Sequence, residues 1–389
     1  MDDFQVPDWL LTEILARLPL KPLFKFKCVS KHWRSLISES YFARLFISRR
    51  NNKMQPWTLL FSNMCDNKIR YKNPFVCNSH AALILYPEFT SPSFSLSFLP
   101  NMNRKLRILA SNNGLLFCSM THTLKEDVEL YICNPFTMQW VTVPNPPHHC
   151  TNTVAGFINQ ANGNYVIVKL AARNYYPASL NFEVLSSTTG AWRVNTVQFP
   201  FSNSYHVHME AVTYNGVLHW LEVENQIIIA YNPEKNAKKC HFMNLPNDRI
   251  KMEFGSLLGV CCGCLRYIQF ELYQVRLSVW VLLDYDTEEW QLEHFCDWRH
   301  VMSLNDVKYF NENDLITNYG IYVCPLAVHP FDLDVVYLKF TFMAPNLAMF
   351  SYNLRTQKLE QVSDVSGCVI PFVLPPWPTP VPCVSLLDS

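Results

Sequence analysis

The chain has 389 residues, with 32 Lys+Arg balanced by 32 Asp+Glu, 49% hydrophobic residues and only 10 glycines. Zero net charge argues against a general binder of nucleic acid or anionic membrane, and so large an apolar share excludes extended disorder. The glycine shortage leaves little material for phosphate-cradling loops, and neither G-x-G-x-x-G nor G-x-x-x-x-G-K-[ST] occurs. Apolar runs such as Leu277 to Leu283 are far shorter than the roughly 20 residues a membrane-spanning helix requires. The acidic start Met1-Asp2-Asp3 is unlike a secretory leader, so the expected location is cytoplasmic and/or nuclear. The 14 cysteines are scattered rather than spaced as a disulfide framework, and read as buried free thiols.

The neutral total conceals two regions. Residues 1–53 carry 10 Lys/Arg against 5 Asp/Glu, a net of +5, which leaves 22 against 27, a net of −5, for the other 336. The basic head is helical by pattern. Pro7 and Asp8 suit a helix start, Leu10, Ile14 and Leu18 recur at i, i+4 and i+8, and Pro19 ends the element. A second short helix is expected to open at Pro22 with Leu23 and Phe26. Ser30 caps a third that carries Trp33, Leu36 and Ile37, and Ser40 caps a fourth with Tyr41, Phe42, Leu45 and Phe46. Four such helices hold more apolar residues than they can cover alone.

The pattern Val6-Pro7-x2-Leu10-x2-Glu13-Ile14-Leu15-x-Arg17-Leu18-Pro19-x-Lys21-x-Leu23-x2-Phe26-x2-Val29-Ser30-Lys31-x-Trp33-Arg34-x-Leu36-Ile37, followed by Phe42, strongly resembles the F-box. That motif docks onto the Skp1 adaptor of cullin-based ubiquitin ligases, and the stretch Lys21 to Lys31 has the form seen in plant F-box proteins. The resemblance implies that Pro7, Leu10, Ile14, Leu15, Leu18, Pro19, Leu23 and Val29 divide between the adaptor interface and the head's own core, with Trp33 in the third-helix contact. Its basic charge would complement an acidic partner.

From Trp57 onward the chain reads as short strands rich in Val, Ile, Leu and aromatics, broken by polar turns. A strand, a polar turn and a second strand recur around Asn134, Ser187, Asn232, Asp286 and Asn353, at intervals of 53, 45, 54 and 67 residues. Tyr214-Asn215-Gly216-Val217 and Asn112-Asn113-Gly114-Leu115 add type I′ hairpin signals. Residues 57–362 divide into six units of about 51, near the period of propeller blades. The body is similar to the plant F-box-associated domain, kelch-like but without the double glycine, on the strength of Asn113-Gly114-Leu115-Leu116, Asn134-Pro135-Phe136-Thr137, Tyr214 to Trp220 and the Cys383-Val384-Ser385-Leu386-Leu387 tail. The fold class expected is an α+β multidomain chain: an F-box at 1–47, a linker at 48–56, and an all-β propeller-like domain of about six blades at 57–389.

The chemistry-bearing clusters are weak. His148-His149-Cys150, Cys261-Cys262-x-Cys264 and His206-x-His208 lack the spacing of a zinc site, and Asp284-x-Asp286-x-Glu288-Glu289 lacks the glycine and terminal Glu of a calcium loop. No G-x-S-x-G or H-E-x-x-H occurs. Arg44, Arg49, Arg50 and Lys53 read as a solvated helix end rather than a nucleic-acid patch. Neither catalytic residues nor a metal or cofactor are expected.

The resemblance implies the substrate-recognition subunit of a Skp1–cullin–F-box ubiquitin ligase, bridging a Skp1-like adaptor, and through it a cullin, to an unidentified target. Loops 143–153, 172–179, 200–209 and 296–315 are the candidate target contacts. The alternative is a β-propeller glycan-binding protein or enzyme acting outside the ligase, whose head packs only on its own body.

Overall fold

The computed structural model describes residues 6–49, 55, 57–62, 82–83, 96–100, 105–121, 128–148, 154–160, 163–171, 178–201, 207–208, 210–235, 237–246, 255–271, 275–305, 322–341, 348–363 and 368–381. Four short helices form the head: α1 (Asp8–Ala16), α2 (Leu20–Phe26), α3 (Lys31–Ser38) and α4 (Ser40–Ser48). Pro7 and Pro19 precede α1 and α2 in extended conformation, where a missing N–H costs nothing. The second helix thus opens two residues before Pro22. Ser30 caps α3 as expected, its Oγ accepting from Trp33 N at 3.1 Å. Glu39, not Ser40, holds the N-cap position of α4. The core of the head is Leu11, Leu15, Leu23, Leu36, Ile37, Phe42 and Phe46.

The body begins with β1 (Trp57–Ser62) and β2 (Ala82–Leu83). Five meanders of four antiparallel strands follow. They are β3 (Lys105–Asn112) to β6 (Gln139–Val143), β7 (Val154–Asn159) to β10 (Trp192–Gln198), β11 (Val212–Tyr214) to β14 (His241–Asn244), β15 (Ser256–Cys261) to β18 (Glu289–Asp297), and β19 (Tyr322–Val328) to β22 (Leu359–Ser363). A short helix α5 (Trp298–Leu304) follows β18, and the last strand among the described residues is β23 (Cys368–Val373).

The innermost strands adjoin in a cycle, β3 to β7, β11, β15, β19, β23 and back to β3, so the sheets close into a propeller ring. Among the described residues, five blades have four strands. The sixth sheet is stitched from both ends of the body, in the order β2-β1-β23, with Trp57 opposite Val373 and Ser62 opposite Cys368.

Because each meander reverses at every turn, its connections fall alternately on two faces of the ring. One face carries the tight turns. At the inner turns Asn113-Gly114, Asn215-Gly216 and Cys262-Gly263 all take positive φ, the geometry of type I′ hairpins. At the outer turns a polar side chain closes the loop on backbone N–H groups two and three residues on: Asn134 with Phe136 and Thr137, Asn232 with Glu234 and Lys235, Asn353 with Arg355 and Thr356. In the second and fourth blades the anchors are Ser186 and Asp284, not the neighbouring Ser187 and Asp286 that the repeat suggested. The opposite face carries the longer connections.

Successive blades are packed without slack. A Cβ on Gly259 would lie 2.6 Å from Val328 Cγ2 of the next blade. Gly259→Ala is expected to cost about 1–3 kcal/mol by overpacking, measured as a lower urea midpoint with unchanged slope.

Between the third and fourth blades the buried His219 is bound through Nε2 to the Tyr285 hydroxyl at 2.9 Å, with the Tyr214 and His241 rings beside this pair. Burial pushes its pKa down to about 4. Below about pH 6.5 the unfolded chain takes up a proton that the folded one refuses, so stability falls as pH drops from 6.5 towards 4, by up to about 1.4 kcal/mol per unit. His219→Gln is expected to flatten that slope by one proton in urea melts at pH 4.5, 5.5 and 7. An unchanged slope would contradict it.

Candidate functional site

The head leaves several large apolar side chains in solvent. On α1 the chain buries Leu11, Leu15 and Ala16, so the residues one position earlier turn outward: Leu10 and Ile14, the latter half exposed, with Val6 and Trp9 beside them in sequence. Trp9 is 68% exposed and Val29, in the turn after α2, is 60% exposed. Tyr41, at the start of α4, is also exposed. A small helical unit that leaves a tryptophan, an isoleucine and a valine in water is built to have them covered by something else.

The residues expected at the interface are therefore divided by the fold. Pro7, Leu10, Ile14, Pro19 and Val29 are exposed, whereas Leu15 and Leu23 are buried in the head's own core. Leu18 and Trp33 are half-buried at the core's edge, with Trp33 against Phe26 at a ring separation of 5.4 Å. Trp9 was missed because it occupies a position where the motif prescribes no residue. Its only signal was a large apolar side chain beside Leu10 on a helix too short to bury both.

A hydrogen bond and an ion pair brace the head. His32 Nε2 lies 2.9 Å from Asp8 Oδ1, joining α3 to the start of α1, and Arg49 pairs with Glu13, joining α1 to the end of α4. Arg17, Lys25, Lys31, Arg34 and Arg44 are also exposed, which gives the head a basic surface suited to an acidic partner. Arg50 and Lys53 of the basic cluster lie outside the described residues.

The ring's polar clusters are engaged in structure. Glu183 on β9 is buried opposite Lys169 on β8, with Nζ 3.6 Å from Oε2, and its Oε1 accepts from His148 N at 3.0 Å and lies 2.5 Å from His148 Nδ1. This pins the connection after β6 to the second blade. His149, Cys150 and His206 lie outside the described residues. Cys261 and Cys264 face each other across a two-residue turn, and burial lifts the Cys261 thiol to about 12, so it stays protonated and a poor metal ligand. The Asp284 carboxylate caps its own turn, and those N–H groups hold its pKa below the usual range. Among the described residues no group of three or more His, Cys, Asp or Glu could hold a metal ion, and no helix is long and apolar enough to cross a membrane.

Comparison with known proteins agrees with this division of the chain. Residues 5–45 match the F-box domain, and residues 89–372 match the model "F-box protein At3g26010-like, beta-propeller". Relatives from Arabidopsis thaliana include F-box protein At3g26010, 27% identical over 418 residues covering 97% of this chain and 90% of the relative. Putative F-box protein At3g23970 is 25% identical, covering 94% and 90%, and putative F-box/kelch-repeat protein At4g22430 is 27% identical, covering 93% and 81%. Among solved structures, TolB from Acinetobacter baumannii aligns at a TM-score of 0.42 and 9% identity over 72% of this chain and 59% of its own. The Aleuria aurantia lectin aligns at 0.38 and 8% over 70% and 77%, and at such scores neither likeness carries weight for fold or ligand. With an F-box at its head and that propeller over most of its length, the chain belongs to the family of At3g26010-like F-box proteins.

Proposed function

We propose that this protein is the substrate-recognition subunit of a Skp1–cullin–F-box ubiquitin ligase, a non-catalytic member that bridges a Skp1-like adaptor to a target protein. The observation that carries this reading is the exposed apolar surface of α1 and the following turns, Trp9, Leu10, Ile14 and Val29, on a head that belongs to the F-box domain. The ring would hold the target on the face opposite the tight turns. Such a protein works by holding a target lysine near the conjugating machinery, which raises its effective concentration without a perturbed side chain. The same reading places it in the cytoplasm and/or nucleus. Mixing the full chain with a Skp1-like adaptor and a cullin should give one stoichiometric complex on gel filtration. Failure of the adaptor to co-elute would overturn the proposal.

A further inference from the structure

The head and the ring are joined by a feature that the F-box pattern does not contain. After β23 the chain emerges on the tight-turn face as Leu374-Pro375-Pro376-Trp377-Pro378-Thr379-Pro380-Val381. On the ring side it is fastened to the first four-stranded blade. Asn134 Nδ2 donates to Thr379 O at 2.7 Å, and Thr379 Oγ1 donates to Asn113 O at 2.7 Å. Pro375 lies so close to Gly114 that a Cβ there would sit 2.4 Å from its Cδ.

On the head side the same segment supplies Trp377 to the helical core. Its ring centroid lies 5.4 Å from Phe24, 5.9 Å from Phe42 and 5.3 Å from Phe46, and Lys27 Nζ lies 4.6 Å from the Phe24 centroid and 5.9 Å from that of Trp377. Burial, with the Arg34 charge adding to it, lowers the Lys27 pKa, while the facing rings favour its charged form. Smaller contacts follow the same line: Phe24 against Phe136 at 5.9 Å, and Gln55 Nε2 donating to Leu374 O at 3.1 Å. Four prolines, Pro375, Pro376, Pro378 and Pro380, restrict the segment before it binds, so little conformational entropy is lost in holding it there.

The head's core is thus completed by a side chain from the far end of the sequence. The residues that Trp377 touches lie on α2 and α4, whereas the exposed surface lies mainly on α1 and the turn after α2, so both can be occupied together. We propose that Trp377 is a positioning residue: the segment Leu374–Val381 clamps the head to the tight-turn face and fixes the orientation of the ring, and of any target on it, relative to the adaptor. The part concerning target and adaptor rests on the function proposed above; the clamp itself does not.

Small-angle X-ray scattering of the free full-length chain tests the clamp, and a separate calorimetric titration with a Skp1-like adaptor tests docking, so the two can fail independently. Wild-type scattering should fit one head-ring orientation. Trp377→Ala should enlarge the maximum dimension and require an ensemble, with adaptor affinity changed by less than about threefold, and Trp377→Phe should restore the single orientation. If loss of the indole unfolds the head, seen as lost helical circular dichroism, Gly114→Ala decides, because it displaces Pro375 while keeping every side chain of the head. Wild-type scattering from both Trp377→Ala and Gly114→Ala would overturn the clamp.

Discussion

Ile14→Asp in the full chain is expected to weaken binding to a Skp1-like adaptor by at least about 100-fold, with thermal stability within about 0.5 kcal/mol of wild type. Ile14 is half exposed in the free protein, so the substitution leaves the head's core intact. In a complex that covers its exposed half, the change forfeits about 0.8–1.5 kcal/mol of apolar burial and adds the desolvation of a carboxylate with no assured partner, a cost of several kcal/mol. The sum exceeds the roughly 2.7 kcal/mol that 100-fold requires. Leu15→Asp is the informative contrast. It places the same charge one residue on, in the core, and should unfold the head outright. Calorimetry for binding and far-ultraviolet melts for stability separate the two. Wild-type affinity in the Ile14 variant would mean that α1 does not meet the adaptor.

Ending the chain after residue 367 is expected to abolish cooperative unfolding and to give an aggregating protein, whereas a chain ended after Leu374 should keep the ring and lose only the clamp. The difference is β23, which pairs along the whole of β1 and buries Val369, Ile370 and Phe372 between the first and last blades. Three such side chains contribute roughly 5–9 kcal/mol, comparable to the entire stability of a domain. Their loss also bares an edge of β1. Urea unfolding followed by tryptophan fluorescence checks this; a cooperative transition at the wild-type midpoint in the shorter chain would contradict ring closure by β23.

What could be read from the sequence was what is encoded locally. Asn-Gly pairs and turn-capping Asn residues set hairpins within a few residues of themselves, which is why Asn113-Gly114, Asn215-Gly216, Asn134, Asn232 and Asn353 lie where the pattern placed them. Ser186 and Asp284 were misplaced by one and two residues, because in Ser186-Ser187 and Asp284-Tyr285-Asp286 two side chains compete for one capping role and only the backbone decides. The two faces of α1 were equally hard to assign. Leu10 and Ile14 share the i, i+4 spacing of Leu11 and Leu15, and periodicity cannot say which pair the fold buries. Two features stayed invisible because they join distant segments: the sixth sheet, which unites β1 with β23, and Trp377, which no local pattern connects to a helical core at the other end of the chain.

Hydrogen-deuterium exchange of the full chain, with and without a Skp1-like adaptor, probes most directly whether the head is the docking element and the ring is left free. Bound adaptor should slow exchange in α1 and in the turn from Lys27 to Ser30, and leave the rates of the five four-stranded blades unchanged. Protection spread over the blades with α1 unaffected would show that the partner sits on the ring, and that the exposed surface of the head is not its docking site.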